Sequence, residues 1–142
     1  VTIQDIEIIQ GSTFEWLILV KDVNGLPLNM TTYTGGTAGV RGKIRKKTSS
    51  ADVITSFTVS ILNNTGVLAA MTAGRCHLTT AQIAALQTDA VGKCYALLIL
   101  EAATTDTIGK GPYVYDVEIE DTTGFVFMPF SGAVTMVMQV TR

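Results

Sequence analysis

The sequence predicts an all-β fold: an antiparallel, immunoglobulin-like β-sandwich of seven or eight short strands with one short helix near residues 80–87. Three observations carry it. Apolar and polar residues alternate at strand period in several segments. The clearest is YVYDVEIE, where Tyr113, Tyr115, Val117 and Ile119 fall on one side and Val114, Asp116, Glu118 and Glu120 on the other. Turn signals built on Gly, Asn, Asp and Pro separate these segments at short intervals. Only one window, LTTAQIAAL, is read as helical.

The first clear strand places Phe14, Trp16, Ile18 and Val20 on one face, which makes Trp16 a core residue. It ends in DVNGLPL, where Asn24-Gly25 supplies positive φ and Pro27 stiffens the exit. The loop TTYTGGTAG leads into a strand from Val40 to Lys47, and a further single strand is expected from Val53 to Ile61 before the turn NNTG. In the helical window Thr79 and Gln82 stand at capping-box spacing, with Ile83 and Leu86 on one side. Cys94 to Glu101 is continuously apolar and not alternating, the mark of a strand buried on both faces. After AATTDTIGKG comes the alternating strand, a turn at Asp121 to Gly124, and FVFMPF, a path that Pro129 and Gly132 should bend or bulge. The last strand, AVTMVMQVT, sets Val134, Met136, Met138 and Val140 on one face. No repeat, linker or low-complexity segment interrupts the chain, so residues 1–142 read as one domain.

Charged residues make up 15 % of the 142 residues, against roughly 25 % in an ordinary soluble domain. Hydrophobic residues reach 47 %. A small domain has much surface to keep wet, so this composition points to a surface partly covered by partners. The net charge of −2 gives no general attraction to nucleic acid or acidic membranes. The start, VTIQDIEIIQ, lacks the basic, then apolar pattern of a secretory signal, and the longest apolar run, Tyr95 to Leu100, is too short for a bilayer span. Cytoplasmic synthesis and reduced cysteines are the expectation; whether Cys76 and Cys94 pair stays open.

The chain lacks the parts for recognisable chemistry. Glu118 and Glu120 lie two apart on one strand face, roughly 7 Å between side chains. That spacing suits an inverting glycosidase pair, yet any wet strand with two acids shows it, and no neighbour separates their acidities. Structural zinc needs four Cys or His ligands, and adjacent Cys76 and His77 diverge in an extended segment. A calcium site from Asp116, Glu118 and Asp121 lacks the oxygen-rich loop spacing. One histidine gives no nucleophile–base pattern, and TGGTAG and GKG are not phosphate loops. No catalytic residue, metal site or cofactor is therefore expected.

The feature that remains is a pair of charged stripes. Arg41, Lys43, Arg45 and Lys47 recur at period two, and Asp116, Glu118 and Glu120 form the complementary ladder. Nucleic-acid binding would add interleaved aromatics and a positive domain charge. If the two strands are neighbours, the stripes pair across one sheet. If not, they suit head-to-tail contact between subunits. Both alternatives stand at this level, and these seven residues are the candidate protein-interface residues.

Four segments together resemble a known family: IIQGSTF, DVNGLPLNMTTY, GPYVYDVEIEDTTGFV and SGAVTMVMQVTR, in that order. The chain resembles the immunoglobulin-like N-terminal domain of phage baseplate upper proteins. Gln10, Gly11, Phe14, Asp22, Gly25, Pro27, Tyr33, Tyr113, Tyr115, Asp116, Gly124, Gly132, Thr141 and Arg142 match its pattern, while Leu78 to Gly111 departs from it. The resemblance implies a non-enzymatic virion component assembled in the host cytoplasm. Its partners would be other virion proteins and copies of itself. A tail or baseplate adaptor is the first expectation and a head decoration protein the alternative. A carbohydrate- or receptor-binding module is the third, and would need a groove lined by Tyr33, Trp16 or the phenylalanines near 125 to 130.

Overall fold

The computed structural model describes residues 2–33, 39–47 and 52–138. The expected loop positions 34–38 and the end of the last strand, with Val140, Thr141 and Arg142, lie outside them. The described strands are β1 (Thr2–Ile3), β2 (Ile6–Ile9), β3 (Phe14–Leu19), β4 (Val40–Arg45), β5 (Val53–Ser56), β6 (Thr58–Leu62), β7 (Tyr95–Leu100), β8 (Tyr113–Glu120) and β9 (Val126–Val137). The helices are α1 (Asn64–Thr72), α2 (Thr80–Ala84) and α3 (Ala102–Thr107).

Two sheets form. The larger runs β1-β9-β8-β4-β5, with β2 also on β9; the smaller runs β3-β7-β6. β1 and β2 are successive pieces of one edge, both parallel to β9, while every other strand pair is antiparallel. In chain order this is the immunoglobulin arrangement. β3, β7 and β6 take the places of strands B, E and D, and β4, β8 and β9 those of C, F and G. Tyr113 opens β8 and donates its hydroxyl to the Gly109 carbonyl at 3.0 Å, the tyrosine corner of that fold. Two residues on, where antibody domains carry the inter-sheet cysteine, stands Tyr115. Its ring meets Trp16 of β3 edge-on at 5.7 Å, and Trp16 meets Phe130 of β9 at 5.4 Å. An aromatic cluster bridges the sheets where a disulfide otherwise would.

The alternating faces of β8 and β4 pack inward with Ile18, Leu98 and Val134 to make the main core. A second apolar cluster lies on the other side of the small sheet. There Val67 of α1, with Leu78, Leu86 and Met71, covers Tyr95, Leu97 and Ile99. β7 is thus buried along its whole length, which accounts for its unbroken apolar run. Cys76 and Cys94 are free thiols inside this second cluster, and burial pushes both upward in pKa.

Several expectations change in detail. The single strand expected from Val53 to Ile61 is two strands in different sheets. The chain crosses at Phe57, whose N–H bonds the Gly42 carbonyl at 2.8 Å and whose ring occupies the space a Cβ on Gly42 would need. The one expected helix is shorter, Thr80–Ala84, with the Thr79–Gln82 capping box in place. Two more helices accompany it among the described residues. In α1 the NNTG segment is a helix start, not a turn: Asn63 caps Gly66 at 2.8 Å and Asp89 accepts the Thr65 N–H at 3.0 Å. α3 is anchored by buried Thr105, which donates to the Ser12 carbonyl at 2.7 Å. Opposite Met128 and Pro129 the β8–β9 register shifts between Val117 and Ile119, the irregularity expected near Pro129.

Candidate functional site: a charged ladder and an aromatic cleft

β4 and β8 are neighbours, and their register sets Arg41 opposite Glu118 and Lys43 opposite Asp116. Between the two ways of pairing the stripes, the ladder within one sheet is the one formed. Arg41 reaches Glu118 at 3.3 Å and Glu120 at 3.4 Å, and Arg45 holds Asp116 at 2.6 Å. Lys47 lies exposed beyond the strand end. Burial raises the Asp116 pKa, against the pull of Arg45, and its Oδ1 is buried without a hydrogen-bond partner. Glu118 and Glu120, the pair with glycosidase spacing, both spend acceptors on Arg41.

With the stripes paired internally, charge reversal acts on the fold itself. Arg45→Glu would set two acids together at a site whose side chains are only 16 % and 19 % exposed. The expected loss is about 2 kcal/mol, below the figure for a fully buried pair, or about 6 °C in Tm. Lys47→Glu should stay within about 0.5 kcal/mol. Thermal melts of the two variants check both values.

Among the described residues no group of three or more His, Cys, Asp or Glu is placed to hold a metal ion. The two side chains of Cys76-His77 diverge: Cys76 is buried, and His77 lies at the surface with Nδ1 2.8 Å from Glu15.

At the end of the sandwich where the β3–β4 and β8–β9 connections meet, two turns share one design. In DVNGL the Asp22 N–H donates to Leu26 O, Gly25 N–H to Asp22 O, and Asp22 Oδ1 accepts from Asn24 and Leu26. In DTTGF the Asp121 N–H donates to Phe125 O, Gly124 N–H to Asp121 O, and Asp121 Oδ1 accepts from Thr123 and Phe125. Gly25 and Gly124 supply φ of 79° and 90°. Each turn then projects an apolar residue into solvent, Leu26 at 61 % and Phe125 at 62 % exposure. The shared D-x-x-G-apolar pattern is legible in the sequence at Asp22–Leu26 and Asp121–Phe125.

The turns flank a cleft of about 840 Å³ between β3 and β9, walled by Leu28, Tyr33, Phe127 and Phe130. Phe125 and Phe127 stack at 6.1 Å at its mouth. The structure therefore gathers Tyr33 and the phenylalanines near 125 to 130, as a binding groove would require. Trp16 belongs to the core instead.

The turn at Asp121 should respond to acid. The Thr123 hydroxyl, with the N–H groups of Phe125, Thr123 and Gly124, holds its carboxyl below the ordinary 3.8. A depressed folded pKa contributes stability above the unfolded value and loses it as pH falls through the folded one. Between about pH 5 and pH 2 the amide signals of Gly124 and Phe125 should shift together, and Asp121→Asn should remove the inflection.

No protein-family model matches the sequence, and a search of curated proteins returns no relative.

Proposed function

We propose that this chain is a non-enzymatic building block of a tailed-phage virion, a tail or baseplate adaptor that contacts neighbouring virion proteins and further copies of itself. One observation carries this reading: exposed apolar side chains recur along the outer margin of the large sheet. Ile3, Ile9, Val126, Met128 and Val137 are all exposed along the β1/β2–β9 side. Together with a charged content of only 15 %, that margin is what a subunit held among neighbours presents. The resemblance of the motif order to baseplate upper proteins supports the same reading.

The test is copy number per purified particle by quantitative mass spectrometry. A low multiple of three or six, on the order of 6 to 18, matches tail symmetry. Hundreds of copies would make it a head decoration protein, and absence from particles would overturn the reading. The aromatic cleft favours one further alternative, a carbohydrate- or receptor-binding module. Glycan binding that disappears in Tyr33→Ala would carry that one.

A further inference from the structure

We infer that Asn24 is a self-modification site: its side-chain amide closes on the Gly25 nitrogen and reopens as aspartate or isoaspartate, and the Asp22 turn keeps that reaction slow in the folded chain. This does not rest on the virion reading.

Residue type and exposure single out the position. Of the asparagines in the chain only Asn24 precedes a glycine, so only there does no following side chain obstruct the approach to the next nitrogen. Asn24 and Gly25 are both exposed. The other asparagine side chains are engaged: Asn29 Oδ1 accepts the Thr31 N–H, Asn63 Oδ1 caps Gly66, and Asn64 Nδ2 donates to Gln87 O. The Asn24 side-chain amide has no hydrogen-bond partner among the described residues.

The reaction balances with water alone. The Gly25 nitrogen gives up its proton and bonds to Asn24 Cγ. The Cγ–Nδ2 bond breaks, and Nδ2 leaves as ammonia with that proton. Water then opens the five-membered imide at one of its two carbonyls. Opening at Cγ restores the original main chain with an aspartate. Opening at the backbone carbonyl leaves the chain running through the side chain as isoaspartate, one atom longer.

The turn opposes the first step. The Gly25 proton that must leave is donated to Asp22 O at 3.0 Å. Asp22 Oδ1 accepts the Asn24 N–H at 2.8 Å and the Leu26 N–H at 3.1 Å, which fixes the peptide groups on either side of the Asn24–Gly25 link. The negative charge of the Asp22 carboxylate beside this link also disfavours a deprotonated Gly25 nitrogen. Ring closure therefore proceeds from the fraction of molecules in which the turn is open. The twin turn at Asp121 repeats the same bonds with Thr123 in the place of Asn24, and threonine has no amide to close. Conversion of Asn24 would set a new carboxylate beside Asp22 and Val23, which line the rim of the cleft.

The test compares the folded protein with an acetylated, amidated peptide of residues 21–28, both incubated in mildly alkaline buffer and followed by mass spectrometry with peptide mapping. Asn24 should be the first asparagine converted, about tenfold or more slowly in the protein than in the peptide. Asp22→Ala removes the side-chain acceptor of the turn and should bring the rate to within about threefold of the peptide's. Thr123→Asn writes the same pair into the twin turn and should create a second site that is also about tenfold or more slower than the peptide, which decides the matter if Asp22→Ala proves unfolded. The inference fails if the folded protein converts as fast as the peptide, or if another asparagine converts first. It also fails if folded Asp22→Ala is no faster than the parent, or if Asn at position 123 converts at the peptide's rate.

Discussion

Gly132→Val is expected to lower the melting temperature by about 10 °C, a loss of about 3 kcal/mol. A Cβ at this position would stand 2.2 Å from the Gln4 carbonyl oxygen and 2.7 Å from its carbon. The obstacle is backbone, so no rotamer change relieves it. The segment in question links β1 to β2 and is tied down on every side. Gln4 N–H donates to Ser131 O at 2.9 Å, Gln4 O accepts the Tyr115 hydroxyl, and Asp5 Oδ1 accepts the Ala133 N–H at 3.0 Å. Forcing it outward breaks these bonds together and lifts Ile6 and Ile8 from the core. Amide exchange should therefore rise first in residues 2 to 9. Gly25→Ala is the contrast, because nothing lies within 4 Å of its Cβ position and only its φ of 79° resists a side chain. That change should cost about 1 kcal/mol. If Gly132→Val melted within about 2 °C of the parent, the close crossing of Gln4 over β9 would be wrong.

Gly132 also shows what the sequence could and could not disclose. A glycine in an apolar strand signals a bulge or a close approach, and here it is a close approach, but only the fold says that Gln4 makes it. An unbroken apolar run placed β7, which is buried along its whole length, and local periodicity placed β3, β4 and β8 well. It failed at Phe57, where one extended run changes sheets and both halves keep strand character. It failed again at Asn63, whose side chain can serve a turn or a helix cap equally well. The charged stripes were plain as stripes, while the choice between internal pairing and subunit contact depended on strand order, which no local pattern encodes. The cleft was less legible still. Tyr33 and Phe127 come from distant parts of the chain, and only the packing of β3 against β9 brings them to one cleft.

Trp16→Ala should cost about 3 kcal/mol, or about 9 °C in Tm, although Trp16 is only partly buried. Its ring joins the sheets by two edge-on contacts, 80° to Tyr115 and 73° to Phe130. Such pairs add about 0.5–1.5 kcal/mol each beyond the area they bury. Truncation would leave a void between the sheets with Tyr115 fixed beside it, since the Tyr115 hydroxyl is bound to Gln4 O and cannot swing in to fill it. Burial also drives the Tyr115 pKa up to about 12, so this hydroxyl keeps its proton throughout the ordinary pH range. Trp16→Phe retains a ring and should cost about 1 kcal/mol. A double-mutant cycle with Tyr115→Phe separates the two roles of Tyr115. If hydroxyl and ring act independently, Tyr115→Phe costs about 1 kcal/mol on its own and couples to Trp16→Ala by no more than a few tenths. Coupling above about 1 kcal/mol would mean that the hydroxyl holds the ring in place for Trp16, and that β1, the tyrosine and the inter-sheet cluster loosen as one unit. The chain has a single tryptophan, so Trp16 fluorescence in the parent and in Tyr115→Phe reports directly on that contact.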